Sequence, residues 1–384
     1  MGPAAHYGTI VIGIGGMGSA VTAHLAERGV DVLGLERYDI PHAMGSSHGK
    51  TRIIRRAQYE DPAYVPLVER AYELWRAREA EHHCQLLYTT GEIDAGPPDS
   101  EIVAGSLRSC REHDLDHERL SGATVNERFP GYQLPEDYEA VYQPDGGFLV
   151  PEQCIVAHVN AAHAAGAEIH AREAVTGWEP RGDGVRVTTE TGQYTADNLV
   201  VTAGAWTGKL LPTVAPFLEP ERQVLAWLQP TEPAAFAPDR FPVFILETTD
   251  SHYYGFPVFD VPGFKVGRFN HLEESVDPDT MDRTPTDRDE QVLREFAETY
   301  FPTGAGPTMQ LAPCLFTNTP DGHFILDHHP EHPRVTIGAG FSGHGFKFAS
   351  AIGEIIADLS ETGRTDHDIE RFRLDRFDGL DQAR

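Results

Sequence analysis

The sequence predicts an α/β protein in two parts, and three observations predict it. Near the start, the glycine turn Gly13-Ile14-Gly15-Gly16-Met17-Gly18 joins an apolar run to an amphipathic stretch. Two more glycine turns follow short apolar strands, at Ala203-Gly204-Ala205-Trp206 and Gly340-Phe341-Ser342-Gly343-His344-Gly345. Residues from about 220 to 317 are strand-rich, interrupted by one helical stretch. A Rossmann-like dinucleotide domain built from discontinuous segments, with a strand-rich antiparallel domain over it, accounts for all three.

The first unit carries the most chemistry. Thr9 to Ile12 reads as a strand, Ser19 to Arg28 as a helix, and Val30 to Leu35 as a second strand ending in Glu36. This is Gly-x-Gly-x-x-Gly inside a βαβ unit, the context that gives the motif its meaning. Gly13 permits the turn, Gly15 lets backbone approach a pyrophosphate, and Gly18 lets helix pack on strand. The helix N-terminus offers free N–H groups and partial positive charge to phosphates. Glu36 sits where a carboxylate accepts ribose hydroxyls and repels a 2′-phosphate. The motif itself does not choose between NAD and FAD. A simple NAD-binding βαβ domain has no use for a glycine turn at the far end of the chain, so the third turn favours FAD.

Helical spacing of Tyr64, Leu67, Val68, Ala71, Leu74 and Trp75 predicts a long helix over 61–81. Further helices are expected over 100–113, over 151–165 with Pro151 in the first turn, over 286–301 and over 346–359. Strands are expected at 174–178, 184–190, 193–201, 223–228, 243–247, 252–256, 264–269, 310–317 and 335–339. The expected division is 1–85, 148–217 and 318–384 for the dinucleotide domain, with 86–147 and 218–317 for the substrate domain.

Composition excludes several functions. The chain has 384 residues and a formal charge of −28, which disfavours nucleic acid and anionic membranes as partners. No apolar run reaches the roughly 18 residues that span a bilayer. Met1 to His6 lacks a basic region and an apolar stretch, so no signal peptide is expected, and His6 breaks the myristoylation pattern. The cysteines at 84, 110, 154 and 314 form no Cys-x-x-Cys pair, which fits a reducing cytoplasm rather than a disulfide framework or zinc site. The histidines fall singly or in solvated pairs, and no metal site is expected. The only lysines are Lys50, Lys209, Lys265 and Lys347. High acidity with few lysines suits a salt-adapted host or a GC-rich genome.

Several segments together resemble the monomeric sarcosine oxidase / N-methyltryptophan oxidase family, FAD-dependent amine oxidases of the D-amino-acid-oxidase-like superfamily. They are Gly13 to Gly18, Ser46-Ser47-His48-Gly49-Lys50-Thr51-Arg52-Ile53-Ile54-Arg55, Tyr64-Val65-Pro66-Leu67, and Tyr253-Tyr254-Gly255-Phe256-Pro257. Lys265, Cys314 with Thr317, Asp321 to Asp327, and Gly340 to Phe348 complete the set. The likeness runs nearly end to end.

The resemblance implies an oxidase of N-methyl amino acids that makes an imine, hydrolysed to formaldehyde and amino acid, and reduces O2 to H2O2. It implies FAD bonded to the Cys314 sulfur; without it, a lone strand cysteine reads as core. Lys265, in the apolar Phe264-Lys265-Val266, would sit at the flavin and stabilise charge as O2 is reduced. Arg55 and Lys347 would hold the substrate carboxylate, a role suited to a guanidinium and an ammonium. Arg52 would lie beside the flavin, with His48 and Thr51 on the same face, and Tyr254 would wall the substrate cavity. Arg52, Arg55 and Arg56 have no acidic residue among them, so burial would require an anion; Arg56 is read as structural. The wider FAD-binding set is Gly13, Gly15, Gly16, Met17, Gly18, Glu36, Arg37, Ser46, Val175, Gly204 and Trp206. It continues with Gly340, Gly343, His344, Gly345 and Phe346, the last turn bringing backbone N–H groups to the flavin pyrimidine.

Two positions depart from the family. Phe269 stands where many members carry a histidine facing the amine, with His271 two residues on, which favours a more apolar pocket. Lys50 fills a slot that is commonly acidic. Three alternatives stay open: the same fold acting on a cyclic imino acid such as pipecolate or proline, or on glycine; a flavin dehydrogenase that avoids O2, against which Lys265 argues; and a non-enzymatic dinucleotide-binding regulator. A small-molecule substrate and a monomer are expected.

Overall fold

The computed structural model describes residues 5–378. Among these residues the strands form sheets of eight, nine and three. The eight-stranded sheet is built around Ala5–Ile12, whose residues from Thr9 onward are buried. That strand pairs in parallel with Val32–Leu35 on one side and Gln193–Val201 on the other. Glu168–His170 extends the parallel array beyond Val32–Leu35, and His332–Ala339 extends it beyond Leu199–Val201. Strands buried on both faces read as continuous apolar runs, which is why Ile10 to Ile12 and Leu199 to Val201 lack alternation.

Helices Gly16–Glu27, Pro151–Ala164 and Ala349–Thr362 pack together over one face of this sheet. The approach is close: a Cβ at Gly353 would lie 2.5 Å from the Ala20 Cβ. The antiparallel hairpin Val175–Arg181/Gly184–Thr189 joins the first half of Gln193–Val201.

The nine-stranded sheet draws on 92–143 and 219–318 and is antiparallel except where Val243–Glu247 runs parallel to Glu92–Gly96. Its long pair is Glu219–Leu228 against Thr308–Asn318. Phe236, Phe241, Phe244, Phe264, Phe296 and Phe301 fill the core beneath it. Helix Asp287–Tyr300 is started by a capping box between Thr286 and Asp289.

The small sheet places Gly147–Leu149 between Arg52–Ile54 and Leu87–Thr89. None of its strands was expected, nor were Glu92–Gly96 and Glu139–Gln143. The reason is visible in Glu92–Gly96, buried at every position although it reads Glu-Ile-Asp-Ala-Gly. Two buried acids hide a core strand from any hydrophobic pattern. The expected helix over 61–81 is also divided: Asp61 caps a 3-10 turn at Pro62–Tyr64, and the α-helix runs Val65–His82. Among the described residues no helix is long and apolar enough to cross a membrane.

Gly18 is the tightest point of the first turn. A Cβ there would lie 1.8 Å from the Gly13 carbonyl oxygen and 2.7 Å from Thr202 Oγ1. Gly18→Ala must push the helix off the strand, and we expect a loss of about 2 kcal/mol or more in urea unfolding. An unchanged midpoint would show that the helix can retreat freely.

Candidate active site

The first glycine turn opens into a cavity of about 330 Å³. Gly13, at φ +88°, lies against the Thr202 backbone, where a Cβ would come 2.7 Å from the carbonyl oxygen. Gly15 differs: a Cβ there would meet no protein atom within 4 Å. Packing does not demand that glycine, and the space beside it is open. The following helix begins at Gly16 with no side-chain cap and no acid in its first turn, so its N–H groups remain available to an anion.

The walls come from all three glycine turns. Gly13, Gly15, Gly16, Met17, Glu36, Arg37, Ser46, Arg52, Val175, Gly204, Trp206, Gly340, Gly343, Gly345 and Phe346 all line the cavity. Glu36 is buried and fixed from two sides, its carboxylate accepting the N–H of Ile14 at 2.9 Å and of Tyr38 at 3.0 Å. A carboxylate has about four acceptor sites, so it keeps capacity for hydroxyls. At the mouth, Asp279 accepts from Arg37 at 2.5 Å, Trp206 Nε1 at 2.8 Å and Lys209 at 2.5 Å. Asp279 and Lys209 are wall residues that sequence reasoning did not find, because no spacing links 37, 206, 209 and 279.

At another part of the wall lie Leu315, Phe316 and Thr317. Thr317 Oγ1 is buried without a hydrogen-bond partner. Cys314, just before Leu315, is buried, with its sulfur 3.7 Å from both Arg52 Nη2 and the Ser46 carbonyl oxygen. Arg52 also donates to the carbonyls of Ser46 at 2.6 Å and Thr51 at 2.9 Å.

Lys265 is 1% exposed. Its Nζ donates to Gly49 O at 2.7 Å, Thr51 O at 2.9 Å and Thr51 Oγ1 at 2.9 Å. Burial, and then the Arg52 charge, pull this amine well below its ordinary pKa, while three oxygen acceptors suit the ammonium. Phe256 and Trp227 place aromatic faces 4.4 and 5.5 Å from Nζ. Tyr254 is half-buried, packed against the cluster holding Leu225, Trp227 and Cys314.

Arg55 and Lys347 are brought together, and neither lines the nucleotide cavity, although Lys347 follows the wall residue Phe346. Arg55 is fully buried, and one guanidinium nitrogen donates to both oxygens of Glu60 at 3.1 and 3.0 Å. Lys347 Nζ lies 3.8 Å from the same carboxylate. Burial of these arginines was expected to require an anion, and the buried Arg55 meets Glu60, while the half-buried Arg56 meets Glu69 and Asp145. Sequence order concealed this, since Glu60 follows in a loop that folds back.

Glu92 and Asp94 approach Arg55 Nε from behind at 3.8 and 3.7 Å. Burial raises the pKa of both acids; the Asp94 charge and hydrogen bond raise Glu92 further, whereas Arg55 and the bonds from Glu92 and Ser106 pull Asp94 part of the way back. Glu60 is the opposite case: burial opposes its charge, but Arg55 and Lys347 outweigh that and hold it well below the carboxylate range. Burial lowers Lys347 to about 8, despite Glu60. Burial also takes His344 to about 4, so it is neutral at pH 7.

His271 does not stand in for a histidine at 269. It is buried away from the cavity, with Nε2 3.0 Å from Asp289 Oδ1. Phe269 instead faces Phe316, their centroids 5.4 Å apart, and a Cβ at Gly343 would lie 2.6 Å from Phe316 and 2.8 Å from Phe269. His48 and Thr51 also separate: Thr51 receives Lys265, and His48 lines a second cavity. On the hairpin beyond, His329, Glu331 and His332 offer atoms within 4.8 Å of one another. Both His329 nitrogens are already bonded, one to Thr213 and one to the Glu331 N–H, so the group is not poised for a metal.

Residues 9–359 match the DAO family, FAD dependent oxidoreductase. The chain belongs to this family. The open Gly15, the uncapped helix and the fixed Glu36 fit the ADP half of FAD. Among relatives, the chain is 44% identical over 371 residues to monomeric sarcosine oxidase of Streptomyces avermitilis, covering 95% of this chain and 96% of that one. It is 42% identical to monomeric sarcosine oxidase of a Bacillus species, covering 97% and 96%. It is 36% identical to N-methyl-L-tryptophan oxidase of Yersinia pestis, covering 97% and 99%. Among solved structures, the amino acid oxidase NikD superposes with TM-score 0.83 at 27% identity, covering 96% of this chain and 97% of that one. L-Proline dehydrogenase from P. horikoshii, at TM-score 0.84 and 23% identity, shares the DAO-family fold.

The Glu60 contact gives a test within this family member. Glu60→Gln leaves two buried cations without their shared anion, which costs about 3 kcal/mol or more. Chemical unfolding should show that loss, and Glu60→Asp should recover part of it. A Gln variant of unchanged stability would mean that Glu92 and Asp94 suffice.

Proposed function

We propose that the protein oxidises the C–N bond of an N-methyl amino acid to an imine, which water hydrolyses to formaldehyde and the primary amino acid, with O2 reduced to H2O2. The observation that carries this reading is the convergence of Cys314 and Lys265 on the segment from Ser46 to Arg52, whose two end residues line the nucleotide cavity. The sarcosine and N-methyltryptophan oxidases among its relatives support it. FAD, when bound, supplies the two-electron acceptor; the residues supply attachment, orientation and charge.

Cys314 would tether the cofactor through sulfur. Arg52 would hold positive charge beside the ring, and Lys265 would stabilise the anion that develops as O2 is reduced. The substrate carboxylate would go to Arg55 and Lys347. It takes the place of Glu60, so one anion replaces another and neither cation is left bare. Tyr254 and the Phe269–Phe316 pair would wall the substrate, giving the amine an apolar surround. No side chain is needed as general base if the amine binds unprotonated. The family name of the bacterial relatives supports a monomer, and the free cysteines fit a reducing compartment.

Purified protein should be yellow, and the colour should stay with acid-precipitated protein and leave in Cys314→Ser. Release of flavin from the unaltered protein would remove the tether. Lys265→Met should be reduced by substrate at a near-normal rate but reoxidise about a hundredfold more slowly in air; equal reoxidation removes the role of Lys265. Formaldehyde and peroxide should appear together from sarcosine or N-methyltryptophan. Peroxide without formaldehyde, from proline, pipecolate or glycine alone, would overturn the substrate assignment.

Carboxylate binding should also depend on pH. Lys347 is protonated below about 8 and loses its charge above it. The ratio of kcat/KM in the wild type to that in Lys347→Met should therefore fall as pH rises through that value. A flat ratio would take Lys347 out of carboxylate binding.

A further inference from the structure

A second cavity, of about 400 Å³, shares no lining residue with the nucleotide cavity. Several chain segments contribute to both, two of them closely. In the first, Gly45 to Ser47 and Arg52 face the nucleotide cavity, while Ala43, Met44 and His48 to Lys50 face the second. In the strand Thr308–Asn318, Leu315 to Thr317 face the nucleotide cavity and Gln310 to Pro313 face the second. The two spaces are thus back to back across one partition. Cys314 lies in that partition, and Lys265 donates its 2.7 Å hydrogen bond to Gly49, a residue of the second cavity's wall.

We propose that the second cavity is the route by which dioxygen reaches Lys265, separate from the face that receives the amino acid. The inference rests on the oxidase reading above. Much of the wall is apolar: Trp227, Val261, Leu311, Ala312 and Pro313. Small apolar molecules partition into such space, and xenon reports it. The cations of this wall, Lys50 and Arg283, already have partners. Lys50 is paired with Asp260 at 2.9 Å, and Arg283 donates to the Met44 carbonyl at 2.7 Å. His48 is neutral, since burial takes it down to about 3. Its Nε2, with Glu152 Oε2, is buried and without a partner, which leaves places for a water or two beside the apolar wall.

The experiment has two arms on the flavin-loaded enzyme. In xenon-pressurised crystals of the wild type, xenon should occupy this cavity; density elsewhere but not here overturns the route. In stopped flow, Ala312→Leu and Val261→Phe should each narrow the passage. Reoxidation of substrate-reduced variant by O2 should slow about tenfold, with anaerobic reduction by sarcosine or N-methyltryptophan unchanged. Equal reoxidation of wild type and both well-folded variants overturns the oxygen route and leaves the oxidase reading standing. A reduced wild type that air does not reoxidise overturns the oxidase reading, and the route falls with it.

Discussion

One buried amine joins the two halves of this molecule. Lys265 projects from a strand of the nine-stranded sheet and donates to Gly49 and Thr51, in the segment that leaves the eight-stranded sheet. Three oxygen acceptors in a dry setting fix that segment at atomic precision, because a lost partner would leave a buried polar group unsatisfied. Everything arranged around the junction inherits the constraint. Arg52 is held by the carbonyls of Ser46 and Thr51, and Cys314 rests against Ser46 and Arg52. The junction also separates the two cavities. Structural tie and proposed chemical group are the same residue, so the lysine is positioned before any ligand arrives.

A second constraint is charge balance in the interior. Burying Arg55 and Lys347 is tolerable only with anions nearby, and the fold supplies Glu60, Glu92 and Asp94. Three carboxylates exceed two cations, and burial shifts Glu92 and Asp94 toward their neutral forms. Glu60 stays ionised because it lies between both cations. Exchange of Glu60 for another carboxylate would conserve the balance, as the proposed binding of a substrate carboxylate requires.

Local patterns were legible where local physics decides them. The glycine turns, the helices that follow them and the strands at 193–201, 243–247 and 252–256 appear as read, because turn geometry and apolar runs dictate them. Glu92–Gly96 was not legible, since its acids face the Arg55 charge and accept from Gln143 and Ser106, all outside the strand. The site was partly legible for the same reason. Gly13, Gly15 and Glu36 carry their meaning in spacing. Glu60 does not, because nothing in the order of residues says that its loop returns to Arg55. His271 looked like a neighbour of the site, but its backbone bond to Gln223 and its contact with Asp289 turn it inward.

The sequence by itself determined a dinucleotide turn, the class of fold and the set of cationic residues that chemistry would require. These follow from short-range rules: φ at a glycine, periodicity of apolar side chains, and the need to explain a lysine in an apolar strand. Only the tertiary structure decided which acid faces which base, that Phe269 meets Phe316 rather than a polar partner, and that Cys314 lies in a wall between two spaces. Those relations join residues hundreds of positions apart, such as Gly49 with Lys265 and Arg52 with Cys314. They depend on how two sheets dock, and docking is set by the sum of many buried contacts that no single stretch of chain encodes.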